Sequence, residues 1–332
     1  MNAWTLNRRS LLAGAVAMAA ANLAPVDGWA QDNFPSKPIR MLVPFAAGGG
    51  IDLIARITAQ QMAEVLGQPV VVENQGGGGG VVASRVVAKS PADGYTLVFH
   101  SVSSAVVNAQ VYKDLGYDPI GGFAPVSYVA QFPLVLLVNN TVPAKNLREF
   151  IALLKANPGK YSYGSSGVGT GIHFASELFR NMAGVDIQHV PYKGTSAALT
   201  DLLGERIEML FDGVPPEVQN INSGRVRALG VTTTRRSPVL PGVPTLAESG
   251  LPGYDLPFWV GIYAPAATPR PVIAKLSAAV AKAIHNPATG ARLKDAGAEG
   301  VGSTPEELDK FWKEQVAVYA RIAKASNIKM EQ

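Results

Sequence analysis

The chain has 332 residues, 47% of them hydrophobic and 16% charged, which describes a folded protein long enough for two domains of ordinary size. Its net charge of +4 is spread along the chain without a block of Lys and Arg, so the sequence predicts no nucleic-acid partner. The absence of cysteine excludes disulfides, a cysteine nucleophile and thiolate metal sites.

Residues 1–30 have the pattern of a secretory signal peptide. Arg8 and Arg9 precede a short apolar run at 11–21, and Gly28-Trp29-Ala30 places small residues at both positions of a cleavage site. The two arginines favour the twin-arginine export route. The run is shorter than the roughly 20 apolar residues that cross a bilayer, and no later stretch is long enough. We therefore expect an exported, periplasmic protein without membrane insertion, whose mature chain begins near Gln31.

The first half of the mature chain alternates between short apolar strands and helices. Met41 and Val43 suit a buried strand, and apolar residues recur at helical spacing after the glycine-rich turn at 45–50. This alternation predicts a parallel sheet with helices on its faces. The predicted strands cover 39–43, 70–72 and 95–99, and the predicted helices cover 51–66 and 82–88.

The apolar stretch at 126–138, broken at Pro133, predicts that the chain crosses to a second lobe. The arrangement of strand, glycine-rich loop and helix recurs there at 160–182, and the strand at 258–263 returns to the first lobe. A capping box at Thr304-Pro-Glu-Glu307 opens the last long helix. The predicted domains are residues 31–129 with 256–332 for lobe one, and residues 130–255 for lobe two.

Most catalytic signatures fail on inspection. Five consecutive glycines at 76–80 are followed by Val81 and not by the Lys-Ser/Thr of a phosphate-binding loop. Val168 stands where a nucleophile elbow needs glycine. The four histidines are scattered without metal-ligand spacing. The sequence therefore predicts no catalytic residue, no metal site and no cofactor.

What remains is a set of strand-to-helix turns rich in Gly, Ser and Thr. In a parallel sheet such turns meet at the carboxyl ends of the strands, where α/β proteins bind ligands. They offer main-chain N–H groups and hydroxyls, which suit the binding of a carboxylate without chemistry. Turns in two lobes can each hold one carboxylate of a diacid. The turns cover residues 45–52, 75–81, 101–104, 164–173 and 192–196.

Three candidate residues of the first lobe each allow two interpretations. Asp52 lies in the first turn of a predicted helix, where it either caps N–H groups or contacts the ligand. Repulsion between like charges favours the capping role. Ser101 and Ser103 are either ligand donors or caps at a strand end, and we favour donors.

The second lobe offers three more candidates. His173, at the start of a helix, is either a packing residue or a ligand contact, and Lys193 is either an anion partner or an ordinary surface lysine. Asp212 either binds an ammonium or hydroxyl of the ligand or serves the turn before Gly213. An alternative function is a periplasmic hydrolase or isomerase of a small carboxylic acid that uses His173 or His100 as base.

Several stretches resemble the Bug family, the extracytoplasmic solute receptors of tripartite tricarboxylate transporters. The resemblance runs through nearly all of the mature chain. The matching segments are KPIRMLVPFAAGGGIDLIAR (37–56), VVEN (71–74), DGYTL (93–97), YGSSGVGT (163–170), HVPYKG (189–194), PTLAESG (244–250) and WVG (259–261). The second glycine loop departs from the family's pattern, which has Pro and Ala among its glycines where this chain has Gln75 and glycines only.

The resemblance implies an α/β fold of the type II periplasmic binding protein kind, with two doubly wound lobes joined by crossing strands around a central ligand cleft. It implies a monomeric receptor, not an enzyme, that binds a small carboxylate or dicarboxylate largely through main-chain amides. The implied partners are membrane transporter subunits, and a ligand-sensing receptor for a signalling partner is an alternative. Together with the residues considered above, the candidate ligand-binding set is Phe45, Ala47, Gly48, Gly49, Asp52, Ser101, Ser103, Ser166, Gly169, Thr170, His173, Lys193, Gly194, Thr195 and Asp212.

Overall fold

The structure is a computed structural model that describes residues 34–326 and residue 328. The predicted signal peptide at 1–30 lies outside the described residues. The chain divides into two units, residues 1–36 and residues 37–332, and every element described below belongs to the second unit.

The second unit alternates strands and helices from its first residues. The strands are β1 (Ile39–Val43), β2 (Val70–Asn74), β3 (Thr96–Ser101), β4 (Phe123–Phe132), β5 (Leu134–Val138), β6 (Ser162–Ser165), β7 (Gln188–Pro191), β8 (Met209–Gly213), β9 (Arg227–Val231), β10 (Phe258–Pro265) and β11 (Glu299–Gly300). The helices are α1 (Gly50–Leu66), α2 (Val81–Ala88), α3 (Asn108–Val111), α4 (Leu147–Ala156), α5 (Gly171–Ala183), α6 (Thr195–Leu203), α7 (Val214–Asn222), α8 (Arg270–Ile284), α9 (Pro287–Asp295) and α10 (Pro305–Ser326). A 3₁₀ turn at Gly78–Gly80 precedes α2, and a π-helical turn at Ser103–Val107 precedes α3.

The strands form two separate sheets. The first has the order β11-β4-β10-β3-β1-β2 and the second the order β7-β6-β8-β5-β9. The chain passes from the first sheet to the second at Pro133, between β4 and β5, and it returns between β9 and β10. The two sheets with their helices give the two-lobe type II fold that the resemblance implied.

The sheets are mixed rather than purely parallel, which corrects the prediction from the strand–helix alternation. β1 pairs in parallel with β2 and β3, and β6 pairs in parallel with β7 and β8. β10 is antiparallel to β3, and β5 is antiparallel to β8, because each of these strands enters its sheet directly from the other lobe. In both lobes the parallel strands end where the glycine-rich turns begin.

Buried aromatic side chains hold the C-terminal helix α10 against both lobes. The indole Nε1–H of Trp312 donates to the Ala105 carbonyl at 2.8 Å, and Tyr319 contacts Phe174 of α5 with ring centroids 5.5 Å apart. Three helices were not predicted: the short α3, α7, which begins with two prolines after Val214, and α9, whose exposed residues lack apolar periodicity.

Candidate ligand-binding site

A cavity of about 660 Å³ lies between the two sheets, and both lobes and the crossing segments form its walls. Lobe one contributes Phe45, residues 49–51, residues 76–80, Ser103 and Tyr112. Lobe two contributes residues 166–168, residues 192–196, Asp212 and Gly213. Phe132, Leu134 and Phe258 line the cavity beside the crossing, where the rings of Phe132 and Phe258 stack with centroids 5.2 Å apart.

The first glycine loop is shaped by the buried carboxylate of Asp52. The carboxylate accepts hydrogen bonds from Gly48 N–H at 2.9 Å, from Asn74 Nδ2 at 2.9 Å and from Arg56 Nε at 3.0 Å. Burial alone would raise the pKa of Asp52, but these donors outweigh it and lower the pKa. Asp52 is therefore ionised and satisfied within the protein. In the described chain no side chain caps the start of α1 at Gly49, and residues 49–51 line the cavity, so the uncapped first turn of the helix borders it.

The five-glycine run forms a wall of bare main chain. Residues 77–80 all have positive φ, between +56° and +127°, a region that only glycine adopts at low cost. A Cβ on Gly80 would lie 2.8 Å from Ser104 Cβ and 2.9 Å from Pro44 Cβ. Asn108 and Tyr112 fix the run by donating to the Gly79 and Gly78 carbonyls. The loop is thus ordered by its contacts, although it contains no side chain beyond Gln75.

The glycine loop of the second lobe leads into the N-terminus of α5. Thr170 caps this helix by accepting from His173 N–H at 3.3 Å, and its hydroxyl donates to the Gly167 carbonyl at 2.8 Å. Gly171 N–H donates to Ser103 Oγ of the first lobe at 2.8 Å. This last hydrogen bond joins the two lobes at the edge of the cavity.

The loop before α6 contributes a positively charged side chain to the site. Lys193 lines the cavity and its side chain is exposed, so its ammonium can move to meet an anion. Tyr192, beside it, donates its hydroxyl to Asp201 at 2.8 Å, which fixes the ring in the wall. Gly194 and Thr195 continue the wall into the first turn of α6.

Asp212 brings a carboxyl into the wall at the carboxyl end of β8. Its side chain is buried, and Oδ1 accepts from the Gly213 N–H at 2.7 Å. Burial raises the pKa of Asp212 to about 8, and the neighbouring Glu217 acts in the same direction. The Gly213 N–H and the Thr195 hydroxyl oppose this rise. The net upward shift favours the protonated form of Asp212 near neutral pH.

The histidines that were candidates for a catalytic base lie behind the walls and do not line the cavity. His173 stacks on His189 with centroids 4.1 Å apart, and its Nδ1 accepts from Gly169 N–H at 3.1 Å. Burial, reinforced by His189 and Arg180, lowers the pKa of His173 to about 3. His100 is buried in the first sheet, and burial lowers its pKa to about 3. The geometry does not favour the hydrolase or isomerase alternative.

The structure brings about half of the predicted ligand-binding set to the cavity. The predicted residues that line it are Phe45, Gly49, Ser103, Ser166, Lys193, Gly194, Thr195 and Asp212. The others lie behind these or beside the cavity: Ala47, Gly48, Asp52, Ser101, Gly169, Thr170 and His173. Ser101, for example, is fully buried at the end of β3.

Some lining residues were outside the predicted set. The glycines at 76–80 were named among the strand-to-helix turns but contributed no candidate, and Tyr192 stood within the HVPYKG segment. Phe132 and Phe258 carried no signal beyond their position at the crossing strands. Within residues 34–326 and 328, no group of three or more His, Cys, Asp or Glu is placed to hold a metal ion. None of the helices described is both long and apolar enough to span a membrane.

Known proteins resemble the chain along most of its length. It is 41% identical over 319 residues to the UPF0065 protein in the tcbD-tcbE intergenic region of Pseudomonas sp. strain P51, covering 96% of this chain and 94% of that one. It is 34% identical over 329 residues to the protein BugT of Bordetella pertussis, covering 98% and 100%.

Solved structures agree in fold. The R. palustris protein Rpa4515 with adipate is 34% identical with a TM-score of 0.86, covering 90% of this chain and 100% of that chain. MatC from Rhodopseudomonas palustris with bound malate is 32% identical with a TM-score of 0.81, covering 87% and 99%. A profile of the family described as "Tripartite tricarboxylate transporter family receptor" matches residues 54–328. The chain therefore belongs to the tripartite tricarboxylate transporter receptor family.

Proposed function

We propose that this protein is a periplasmic solute receptor that captures a small carboxylate or dicarboxylate in the 660 Å³ cavity between its lobes. The observation that carries the proposal is the makeup of the walls: glycine main chain on one side, and hydroxyls and an exposed lysine on the other. The volume lies within the ~300–1,000 Å³ typical of small-molecule sites.

Both walls suit an anion more than a cation or a neutral solute. The uncapped first turn of α1 presents main-chain N–H groups at the positive end of a helix dipole. Lys193 adds a mobile positive charge from the opposite wall. Asp52 does not oppose the anion strongly, because Arg56 and the donors around it compensate its charge. A diacid with one carboxylate toward each wall satisfies both lobes at once.

Binding in this proposal is coupled to closure of the lobes. Lobe one is residues 31–129 with 256–332, lobe two is residues 130–255, and they rotate about the crossing segments near 128–134 and 256–262. Only contacts made in the closed form and not in the open form can shift that equilibrium, so the ligand must touch both walls together. The Ser103–Gly171 hydrogen bond joins the two lobes, and in this proposal it contributes to the closed form.

The delivery step follows from the family. The mature protein, exported by the twin-arginine or another secretory route, stays in the periplasm as a monomer and presents its closed form to the membrane subunits of a tripartite tricarboxylate transporter. It binds and releases its ligand without changing it, so it is not an enzyme. The malate and adipate held by its structural neighbours are the first ligands to test.

Calorimetric titration with a panel of small mono- and dicarboxylates tests the proposal. We expect at least one acid to bind with a Kd well below about 1 mM, the weak limit near 4 kcal/mol. Chromatography of the acid after long incubation should recover it unchanged. A panel in which no acid binds would remove the basis for a carboxylate receptor, and turnover of a bound acid would make the protein an enzyme.

A second experiment separates transport from signalling. Immobilised receptor, with and without the ligand found by calorimetry, is incubated with solubilised membranes of the source bacterium. Retention of transporter membrane subunits that increases with ligand supports delivery. Retention of a sensor protein in their place would favour the signalling alternative.

A further inference from the structure

Asp212 occupies a position in the cavity wall where a carboxylate would be poorly stabilised. It sits at the carboxyl end of β8 with 6% of its surface exposed, and that surface opens into the cavity. Oδ1 is occupied by the Gly213 N–H at 2.7 Å. In the part of the chain that the structure describes, neither Lys nor Arg forms an ion pair with it. The Thr195 hydroxyl also forms a hydrogen bond with the carboxyl, and the remaining hydrogen-bonding capacity of the carboxyl borders the cavity, where a ligand can meet it.

A second buried acid is near enough to raise the pKa of Asp212 through charge repulsion. Glu217, in the first turn of α7, is fully buried, and its Oε1 has no hydrogen-bond partner. Its Oε2 accepts from Asn220 Nδ2 at 3.1 Å. Two buried carboxyl groups whose negative charges repel each other cannot both ionise at low cost, which favours retention of a proton by one of them.

The other titratable groups around the pair do not supply a counter-charge to Asp212. Arg225 acts on Glu217, whose pKa is nevertheless raised, first of all by burial. From the neighbouring loop, Lys193 is exposed at the rim and Tyr192 is bound to Asp201. On the other side of the cavity, lobe one contributes glycine main chain and Tyr112. The Tyr112 hydroxyl already donates a hydrogen bond to the Gly78 carbonyl.

We propose that Asp212 is a specificity-determining residue that meets the ligand as a neutral carboxylic acid and donates its proton to a hydroxyl or carboxylate oxygen. This inference rests on the proposed receptor function and narrows its ligand class. The site favours fully ionised diacids and hydroxy acids over amino acids. An ammonium group would need an ionised Asp212 for a strong interaction, whereas the proton retained near Glu217 leaves Asp212 uncharged.

The chemistry of three matched acids explains the preference. Succinate, malate and aspartate carry hydrogen, hydroxyl and ammonium at the same carbon. A neutral Asp212 can donate to the malate hydroxyl or to a carboxylate of any of them, whereas the aspartate ammonium finds only a neutral carbonyl oxygen. Above the pKa of about 8 the proton is lost, the donor disappears and a negative charge faces the ligand.

Titration of the receptor with these acids from about pH 6 to about pH 9 tests the proposal. In the wild type we expect affinity for the tightest-binding non-amino diacid to fall up to tenfold per pH unit above about pH 8, while aspartate loses less or gains. Asp212→Asn, which keeps a donor and cannot ionise, should hold its affinity nearly constant across the range. Asp309→Asn, at a partly exposed side chain of α10 that does not line the cavity, serves as the matched control and should follow the wild-type profile.

Direct observation of the carboxyl group keeps the proposal testable without any ligand. Carboxyl ¹³C resonances of the ligand-free wild type, assigned by comparison with Asp212→Asn, should show one aspartate titrating near pH 8. If Asp212→Asn does not fold, Glu217→Gln provides the second variant and should shift that same resonance to a lower midpoint. Titration of Asp212 below about pH 5 would overturn the proposal.

The two possible failures are distinguishable. If no carboxylate binds to the wild type at any pH while Asp212 titrates near pH 8, the receptor function fails and the protonation stands. If carboxylates bind with a flat pH profile, or if Asp212→Asn shows the wild-type loss of affinity above pH 8, the receptor function stands and the role of Asp212 is refuted.

Discussion

The two walls of the cavity differ in which parts of the chain line them. The wall of lobe one is mainly main chain, from the uncapped start of α1 and from the glycines at 76–80. The wall of lobe two carries functional side chains, among them Lys193, Thr195 and Asp212. Main-chain N–H groups recognise any carboxylate, whereas side chains respond to what is attached to it. The first wall therefore anchors a class of ligand and the second discriminates within that class.

The same contrast governs the two acids associated with these walls. Asp52 accepts from Gly48, Asn74 and Arg56, and these donors lower its pKa despite its burial. Burial around Asp212 is deeper, and together with the nearby Glu217 it raises the pKa of Asp212 to about 8, although the Gly213 N–H and the Thr195 hydroxyl oppose the rise. One acid is ionised and shapes its wall, and the other is neutral and faces the ligand. Residue type alone does not distinguish them, because the depth of burial and the donors around each carboxyl decide its charge.

The largest loss of stability is expected when a methyl group is added to the glycine run at 76–80. Gly80→Ala places a Cβ 2.8 Å from Ser104 Cβ and 2.9 Å from Pro44 Cβ at φ +98°. Left-handed strain and overpacking together should cost about 3 kcal/mol of unfolding free energy, measured by urea denaturation. Gly49→Ala is the matched control, since its Cβ meets nothing within 4 Å and φ is −85°. Equal stability of the two variants would contradict the rigid wall described here.

Local sequence signals predicted the structural features that depend on neighbouring residues. The glycine loops and the helices after them follow from residue spacing and turn chemistry, and the end of β1 at Val43 was predicted correctly. The strand before the second loop was predicted to end before Gly164, whereas β6 continues to Ser165. The antiparallel entry of β5 and β10 was not predicted, because it depends on the path of the chain between lobes. The π-helical turn at Ser103–Val107 also has no local signature.

The site was harder to predict than the fold for the same reason. Whether Asp52 faces the ligand depends on Asn74, which is remote in sequence and adjacent in space. The contact of Ser103 with Gly171 joins residues 68 positions apart. The charge state of Asp212 depends first on its own burial and then on the nearby Glu217, and neither can be predicted from sequence periodicity. Candidate residues could be named from the sequence, but their orientation is a property of the tertiary structure.

Removal of the Asp52 carboxylate tests the ionised half of the comparison. Asp52→Ala leaves Gly48, Asn74 and Arg56 without their acceptor and should cost about 2 kcal/mol. Because the folded-state pKa is lowered, this stabilisation is present above the unfolded pKa of about 4 and is lost as pH falls through the folded value. Urea denaturation at neutral and acid pH measures the difference. Glu73→Gln, which breaks an exposed ion pair with Arg40, should cost less than about 1 kcal/mol and controls for charge.

Neutralising Lys193 tests the discriminating wall. Lys193→Gln should leave the unfolding free energy unchanged, because the side chain is exposed, and should weaken binding of a dianion about tenfold. The loss should shrink at high salt, since ions screen an exposed charge. Calorimetry at two salt concentrations measures both effects. Lys155→Gln on α4, away from the cavity, is the control, and an equal loss there would assign the effect to net charge.

The smallest effect should come from the hydrogen bond that joins the two walls. Ser103→Ala leaves the Gly171 N–H without its acceptor in the closed form, whereas water can satisfy it when the lobes part. The closed form should therefore lose about 1 kcal/mol relative to the open form, which corresponds to an apparent affinity about fivefold weaker. Small-angle scattering should show a larger mean radius of gyration for the ligand-free variant. Ser90→Ala, whose hydroxyl bonds only to Val86 at the end of α2, should change neither quantity. If Ser103→Ala weakened affinity without any change in the scattering, the hydroxyl would be acting on the ligand itself and would belong to the anchoring wall rather than to the joint between the walls.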